Sequence, residues 1–219
     1  ALETCPNLCN FKFDITLYPL VLNGFNMPWL LLLILSMVWA SAQNTQTNAF
    51  FNLAHTAQQA QYLSSEEKNI ILYINLARTQ PQWFVQHYLN AEQVDTLQSY
   101  VSSLRLQLNH MSPKPLVYPE KKLFKIARGW AREAGQKNHT GHVGFSGRAR
   151  RYSKSKPMAE CCSYGYSTGL EIVLQLLIDD QVPQLGHRKA LLSDFTLVGP
   201  SIQPHRGYDF NAVLDFSIK

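Results

Sequence analysis

Residues 168–218 read TGLEIVLQLLIDDQVPQLGHRKALLSDFTLVGPSIQPHRGYDFNAVLDFSI, and the order of patterns within them decides the fold class. Thr168 stands three residues before Glu171, the spacing of a capping box, and every residue from Ile172 to Ile178 except Gln175 is apolar. That predicts a helix buried on most of its sides. The apolar run stops at Asp179 and Asp180, passes Pro183 and Gly186, and resumes only after His187. Residues 195–202 and 210–218 are rich in β-branched and aromatic side chains, and the turn-forming QPHRGYD separates them. An antiparallel hairpin is predicted there.

Upstream the pattern is helical. In SSEEKNIILYINLART, residues 64–79, Ser64 and Glu67 form a second capping box, with Ile70, Ile71, Ile74 and Ala77 at helical spacing. QPQWFVQHYL continues as a short helix, and residues 92–108 are helical or mixed. Three prolines in NHMSPKPLVYPE then break the chain before EKKLFKIARGWAREAGQKN, where Leu123, Ile126, Ala127, Trp130 and Ala134 make one apolar stripe. Helices gather early and strands late, which predicts an α+β domain over residues 64–219. No internal repeat is visible.

The chain has 219 residues, 46% of them hydrophobic, enough to bury a substantial core. Its most apolar segment, MPWLLLLILSMVWASAQ, opens at Met27 and ends in the small residues Ala40, Ser41 and Ala42. Residues 27–42 read as a secretory signal peptide cleaved after Ala42, with Pro28 and Trp29 where Lys or Arg is usual. The run is shorter than the roughly 20 apolar residues that span a bilayer, so no transmembrane anchor is expected. Residues 1–26 precede that methionine and read as a non-native upstream extension. Residues 43–63, rich in Gln and Asn, read as a leader or linker. Cleavage after Ala42 removes Lys12, Glu3 and Asp14, leaving nineteen bases against thirteen acids, a net +6. The expected product is a basic secreted protein. Of the four cysteines, Cys5 and Cys9 precede the signal segment, and the neighbours Cys161 and Cys162 remain. Adjacent cysteines fall outside ordinary disulfide geometry, so they are either two small buried hydrophobes or a strained redox pair.

Four places concentrate reactive side chains. His139 and His142 lie in NHTGHVGFSGR, where Gly141, Gly144 and Gly147 favour a loop. Glu160 sits alone among apolar and small residues in MAECCSYGYSTG, and a carboxylate there needs a partner or an opening to water. Asp179 with Asp180 is the third place and His187 the fourth. Brought together, two imidazoles and two or three carboxylates could bind a divalent ion such as zinc, or work as a general acid and base. Each taken singly could equally be a satisfied polar group. GYSTG, residues 165–169, fits the nucleophile-elbow pattern, and Asp180 and His187 follow Ser167 in hydrolase order. Too little chain follows Ser167 to complete a parallel hydrolase sheet, however, and Thr168 is explained as a cap. Residues 121–156 hold eleven of the nineteen bases, which suits attraction to an acidic cell-wall polymer, anionic lipid or glycan, or a solvated helix face. Nucleic acid is disfavoured, because the protein is read as exported and aromatics are not interleaved with the bases.

NLARTQPQWF, GHVG, AECCSYGY, LLIDD followed by GHRKALL, and the closing VGPSI and FNAVLDFS resemble, in this order, the CAP superfamily. That group comprises cysteine-rich secretory proteins, antigen 5 and plant pathogenesis-related class 1 proteins; the chain is most similar to its bacterial type. The resemblance covers about residues 66–219. It implies an α-β-α sandwich with a central antiparallel sheet flanked by helices, and a cleft of two histidines and two acids. Carried onto this chain these are His142, Glu160, His187 and Asp180, with Asp179 as the alternative for the last, and the implied cofactor is Zn2+ or another divalent cation. Cys161 replaces the asparagine that usually follows the glutamate, the segment between His142 and Arg148 is short, and Ala190 ends an RKA where RKN is frequent. Three functions follow from the resemblance: a secreted recognition module whose cleft binds a metal or small ligand; a metal-dependent or acid/base hydrolase in which Glu160 activates water; and a lipid or sterol carrier to which Trp83, Phe84 and Tyr88 contribute. The expected partner is a small ligand, a lipid or a cell-surface polymer.

Overall fold

In the computed structural model, which describes residues 29–89 and 98–219, the local signals read above become the helices that enclose a sheet. The chain divides into two compact units, Ala1–Gln43 and Asn44–Lys219. The upstream extension, residues 1–26, lies outside the described residues. Helix α1, Trp29–Ala54, covers much of the segments read as signal peptide and leader, and no described helix is long and apolar enough to cross a membrane.

Helix α2, Ser65–Thr79, starts where its capping box places it. The Glu67 N–H donates to Ser64 Oγ at 3.2 Å, and the Ser64 N–H donates to Glu67 Oε2 at 2.8 Å. The other carboxylate oxygen accepts from the Ile202 N–H at 3.0 Å, so one side chain starts a helix and fastens it to the sheet. Helix α3, Pro81–Phe84, runs into a π-helical turn, Val85–Leu89, and α4 spans Gln98–His110. Residues 92–97 of the segment read as helical or mixed lie outside the described residues. Helix α5, Lys121–Lys137, is capped by the Glu120 carboxylate, which accepts from the Leu123 N–H at 2.5 Å, and ends on Asn138 in the left-handed region. Helices α6, Phe145–Tyr152, α7, Gly169–Ile178, and α8, Gly186–Leu191, complete the set.

The strands are β1, Tyr118–Pro119; β2, Met158–Tyr164; β3, Leu197–His205; and β4, Asp209–Ser217, in the order β1-β3-β4-β2. Strands β3 and β4 form the expected hairpin, β2 pairs antiparallel with β4, and β1 adds two residues parallel to β3. The sheet is therefore antiparallel in its body and mixed only at the β1 edge. Its faces are covered separately. Cys161, Ala212, Leu214, Phe216 and Val198 share a core with α2, α7 and α8, whereas Cys162 and Val213 pack with Ala127, Trp130, Ala131 and Ala134 of α5. This is the α-β-α sandwich. Two close approaches set the layers: a Cβ on Gly199 would lie 2.0 Å from the Phe124 nitrogen of α5, and one on Gly169 would lie 2.7 Å from the Ile70 nitrogen of α2. Successive strand residues point to opposite faces, so Cys161 and Cys162 are two free, buried thiols rather than a pair.

Two expectations are corrected. The segment 43–63 is not a linker throughout: Ala54, Ala57 and Leu63 are buried, and Phe50 and Phe51 pack edge-on against Trp83. Its glutamines hid small and aromatic residues that the core takes in, and the compact unit begins at Asn44 instead of residue 64. The loop expected after His142 becomes helix α6 from Phe145, with Gly147 inside it. Strand β2 carried no alternating pattern, because both of its faces are covered. Phe84 is fully buried, and Trp83 and Tyr88 pack against each other and against Phe50, Phe51 and Tyr73.

Candidate metal centre at the β2 edge

Strand β2 is an edge strand, so side chains from both helical layers can meet beside it. From the α5 side comes His142. Two glycines with positive φ, Gly141 and Gly144, turn the chain after α5, and the turn is pinned twice. The Trp130 Nε1–H donates to Gly141 O at 3.1 Å, and the Gly141 N–H donates to Tyr164 Oη at 2.7 Å. His142 Nδ1 then lies 2.9 Å from Oε1 of Glu160. The Glu160 side chain is only 1% exposed, and Arg148 Nη2 donates to both of its oxygens, at 2.8 and 2.6 Å. Arg148 lies 4.6 Å over the Trp130 ring, and its Nη1 donates to Val143 O.

From the other layer comes His187. Helix α7 ends on Asp179 in the left-handed region, and the returning chain starts α8 at Gly186. A carboxylate at a helix C-terminus opposes the helix dipole, at about 0.3–1 kcal/mol when exposed. Here the opposition is offset, because Asp179 Oδ2 accepts from the backbone N–H groups of His187 and Arg188 at 2.9 and 3.1 Å. Oδ1 is 2.7 Å from His187 Nδ1. The two imidazoles face one another with ring centroids 6.5 Å apart.

Carboxylates only accept, so each Nδ1 donates, and in the neutral tautomer each Nε2 keeps its lone pair. Two imidazoles in that tautomer, each oriented by a buried carboxylate, form the donor set that divalent transition metals take, with the carboxylates fixing tautomer and ring angle. Of the two adjacent acids, Asp179 meets His187; Asp180 lies at the rim and accepts from Gln181 Nε2 at 3.2 Å. His139 is exposed and contributes its backbone oxygen to His205. Ser167 is exposed ahead of α7, the acid on His187 Nδ1 is Asp179 rather than Asp180, and among the described residues no hydrogen bond joins Ser167 to His187, so the serine, Asp180 and His187 do not form a triad.

Donor atoms of His142, Glu160 and Cys162 also lie within 4.8 Å of one another. This second grouping suits an ion less well. A metal takes thiolate, and burial, followed by the charge of Glu160, pushes the Cys162 thiol up to about 12. Glu160 is moreover already neutralised by Arg148. A cavity of about 420 Å3 adjoins His187, lined also by Asp179 and Cys162 together with Leu174, Ile178 and Tyr166.

Two buried residues of the site escaped sequence reasoning. A lone Glu160 called for a cation, but five arginines in residues 121–156 offered no means of choosing Arg148. Asp215 pairs with Glu160 across β4 and β2 and is fully buried. Burial first, and the Glu160 charge second, raise its carboxyl well above the usual range. The folded state thus holds a proton that the unfolded chain releases above about pH 4, and stability falls as pH rises from there. Asp215→Asn removes that dependence. It is expected to be neutral near pH 4 and increasingly stabilising toward pH 8, by up to about 1.4 kcal/mol per pH unit over part of that range. Urea unfolding at the two pH values checks this; a gain that does not change with pH means Asp215 is ionised in the fold.

The fold and site define an α-β-α sandwich with two carboxylate-held histidines at one sheet edge. No protein-family model matches the chain, and no curated protein matches it. Among solved structures it is similar to an outer surface protein from Borrelia burgdorferi, at 22% identity and a TM-score of 0.41, over 56% of this chain and 90% of that one. It is also similar to an extracellular protein containing an SCP domain from Bacillus anthracis, at 22% identity and a TM-score of 0.40 over 56% of this chain. A third is a cysteine-rich secretory protein from Staphylococcus aureus, at 19% identity and a TM-score of 0.36 over 57% of this chain. The chain spans 39% and 40% of the length of the latter two. The fold described above rests on the chain's own elements.

Proposed function

We propose that this is a secreted CAP-type recognition protein whose cleft binds a divalent cation, zinc foremost, through Nε2 of His142 and Nε2 of His187. The observation that carries the reading is the pair of imidazoles 6.5 Å apart, each with its Nδ1 committed to a buried carboxylate. When bound, such an ion supplies a positive centre able to polarise a carbonyl or hold an anionic group of a ligand. His142 and His187 hold it; Glu160 and Asp179 orient them; the adjoining cavity gives a small ligand room. Export is supported by the apolar run from Met27 to the small residues at Ala40–Ala42, which end two residues before the compact unit begins at Asn44.

Binding is favoured over hydrolysis by Glu160 itself. Both of its oxygens accept from Arg148 and one also faces His142, so it orients an imidazole and has no free edge toward a water in the cleft. Lipid carriage is disfavoured by Trp83, Phe84 and Tyr88, which pack into one another and the core.

Calorimetric titration with Zn2+ is expected to show one equivalent bound, and an ion at a hundredfold excess over its dissociation constant adds about 2.7 kcal/mol of stability. His142→Ala and His187→Ala should each abolish both effects. Equal binding by wild type and the two variants sinks the reading.

A further inference from the structure

Of the bases in residues 121–156 only Arg148 supports the metal centre, and it meets Lys125 and Arg151 in a second recess. It lies between α5 and α6, has a volume of about 520 Å3, and is lined by Lys125, Gly129, Trp130 and Glu133 on α5 and by Gly144, Arg148 and Arg151 at and along α6. The spacing explains the convergence: residues 125, 129 and 133 recur every helical turn, as do 144, 148 and 151, so two helical stripes face one gap. The single acid of the lining, Glu133, is paired with Lys137 at 2.8 Å. Lys125 and Arg151 are exposed, and neither has an ion-pair partner among the described residues. Gly129 has open space beyond its Cα, so the wall there is not closed by a side chain.

Arg148 adds a fixed positive charge at the wall. It is 7% exposed, held by Nη2 on Glu160 and Nη1 on Val143 O. Guanidinium and ammonium groups around a recess suit an anion with several acceptor oxygens.

We propose that the α5–α6 recess binds a phosphate group, free or carried by a lipid headgroup, with the exposed Lys125 and Arg151 supplying the charge and the hydrogen bonds. The recess shares only Arg148 with the metal centre.

Trp130 lines the recess and its indole N–H is fixed on Gly141 O, so its resonance is a local reporter. Inorganic phosphate is titrated into the 15N-labelled protein at constant ionic strength balanced with chloride. A saturable displacement of the Trp130 indole resonance, with that of Trp83 unmoved, is expected. Lys125→Ala/Arg151→Ala should weaken it about tenfold or more while leaving Zn2+ affinity and the circular dichroism spectrum unchanged. In a second arm, vesicles containing phosphatidylglycerol are compared with pure phosphatidylcholine. Sedimentation with the anionic vesicles alone, reduced about tenfold in the double variant, identifies the headgroup as the source even where free phosphate has no effect. The proposal is overturned if chloride displaces the resonance as phosphate does, or if neither probe distinguishes wild type from the double variant.

Discussion

Arg148→Met is expected to destabilise the protein by about 3–5 kcal/mol, the range for removing one partner of a buried ion pair. Methionine keeps most of the stem packed under Trp130, so the loss reports the charge. Glu160, enclosed and cross-strand from the equally buried Asp215, would be left with His142 as its sole ion-pair partner among the described residues. The same change should lower Zn2+ affinity about 10- to 100-fold, as expected when the group that holds a ligand's orienting carboxylate is lost. Glu160→Gln in the Arg148→Met background removes the stranded charge and should recover much of the stability without recovering the affinity. Urea unfolding and zinc titration of the single and double variants supply both readouts. A single variant within about 1 kcal/mol of wild type, with unchanged affinity, would show that Arg148 does not support the site.

Arg78→Ala is the second large effect, and it concerns the frame. Arg78 is fully buried, and its guanidinium donates to four backbone oxygens: Nε to Pro115 at 2.8 Å, Nη1 to Leu191 and Ser193 at 2.8 Å each, and Nη2 to Phe195 at 3.0 Å. One side chain thus ties the end of α2 to the proline-rich segment before β1 and to the turn joining α8 to β3. Burial lowers the group to about 10, partly countered by Asp194, so it remains charged at neutral pH. Truncation strands four carbonyls and is expected to lose about 3–5 kcal/mol. Lysine, with a single point of charge instead of a planar fork, should restore less than half. Hydrogen exchange across residues 191–196 locates the loss, because that turn should open first. Stability of Arg78→Lys equal to that of the wild type would mean the fork geometry is immaterial.

These two arginines show how much was legible beforehand. Both lay in quoted motifs, NLARTQ and the run after GHVG, yet their spacing marked them only as helical or basic. Nothing local distinguishes an arginine that will be buried against carbonyls from one that will face water, because the acceptors are supplied by segments up to 117 residues away. The histidines and acids were legible as candidates for the opposite reason. A charged or imidazole group between apolar runs has few ways to be accommodated, so its sequence context alone marks it.

What the sequence determined by itself was whatever is decided within a few residues. Ser64 with Glu67 and Thr168 as a cap mark where helices begin, the stripe from Leu123 to Ala134 marks which face of α5 is buried, and the turn between β3 and β4 marks a hairpin. Only the tertiary structure decided that Asp179 rather than Asp180 meets His187, that Arg148 is the cation for Glu160, and that β2 lies at the edge where both helical layers reach it. Capping and periodicity act over one or two helical turns, whereas these pairings depend on strand register and on a left-handed turn at Asp179. Those arise when distant segments pack together and share the cost of burying their polar groups.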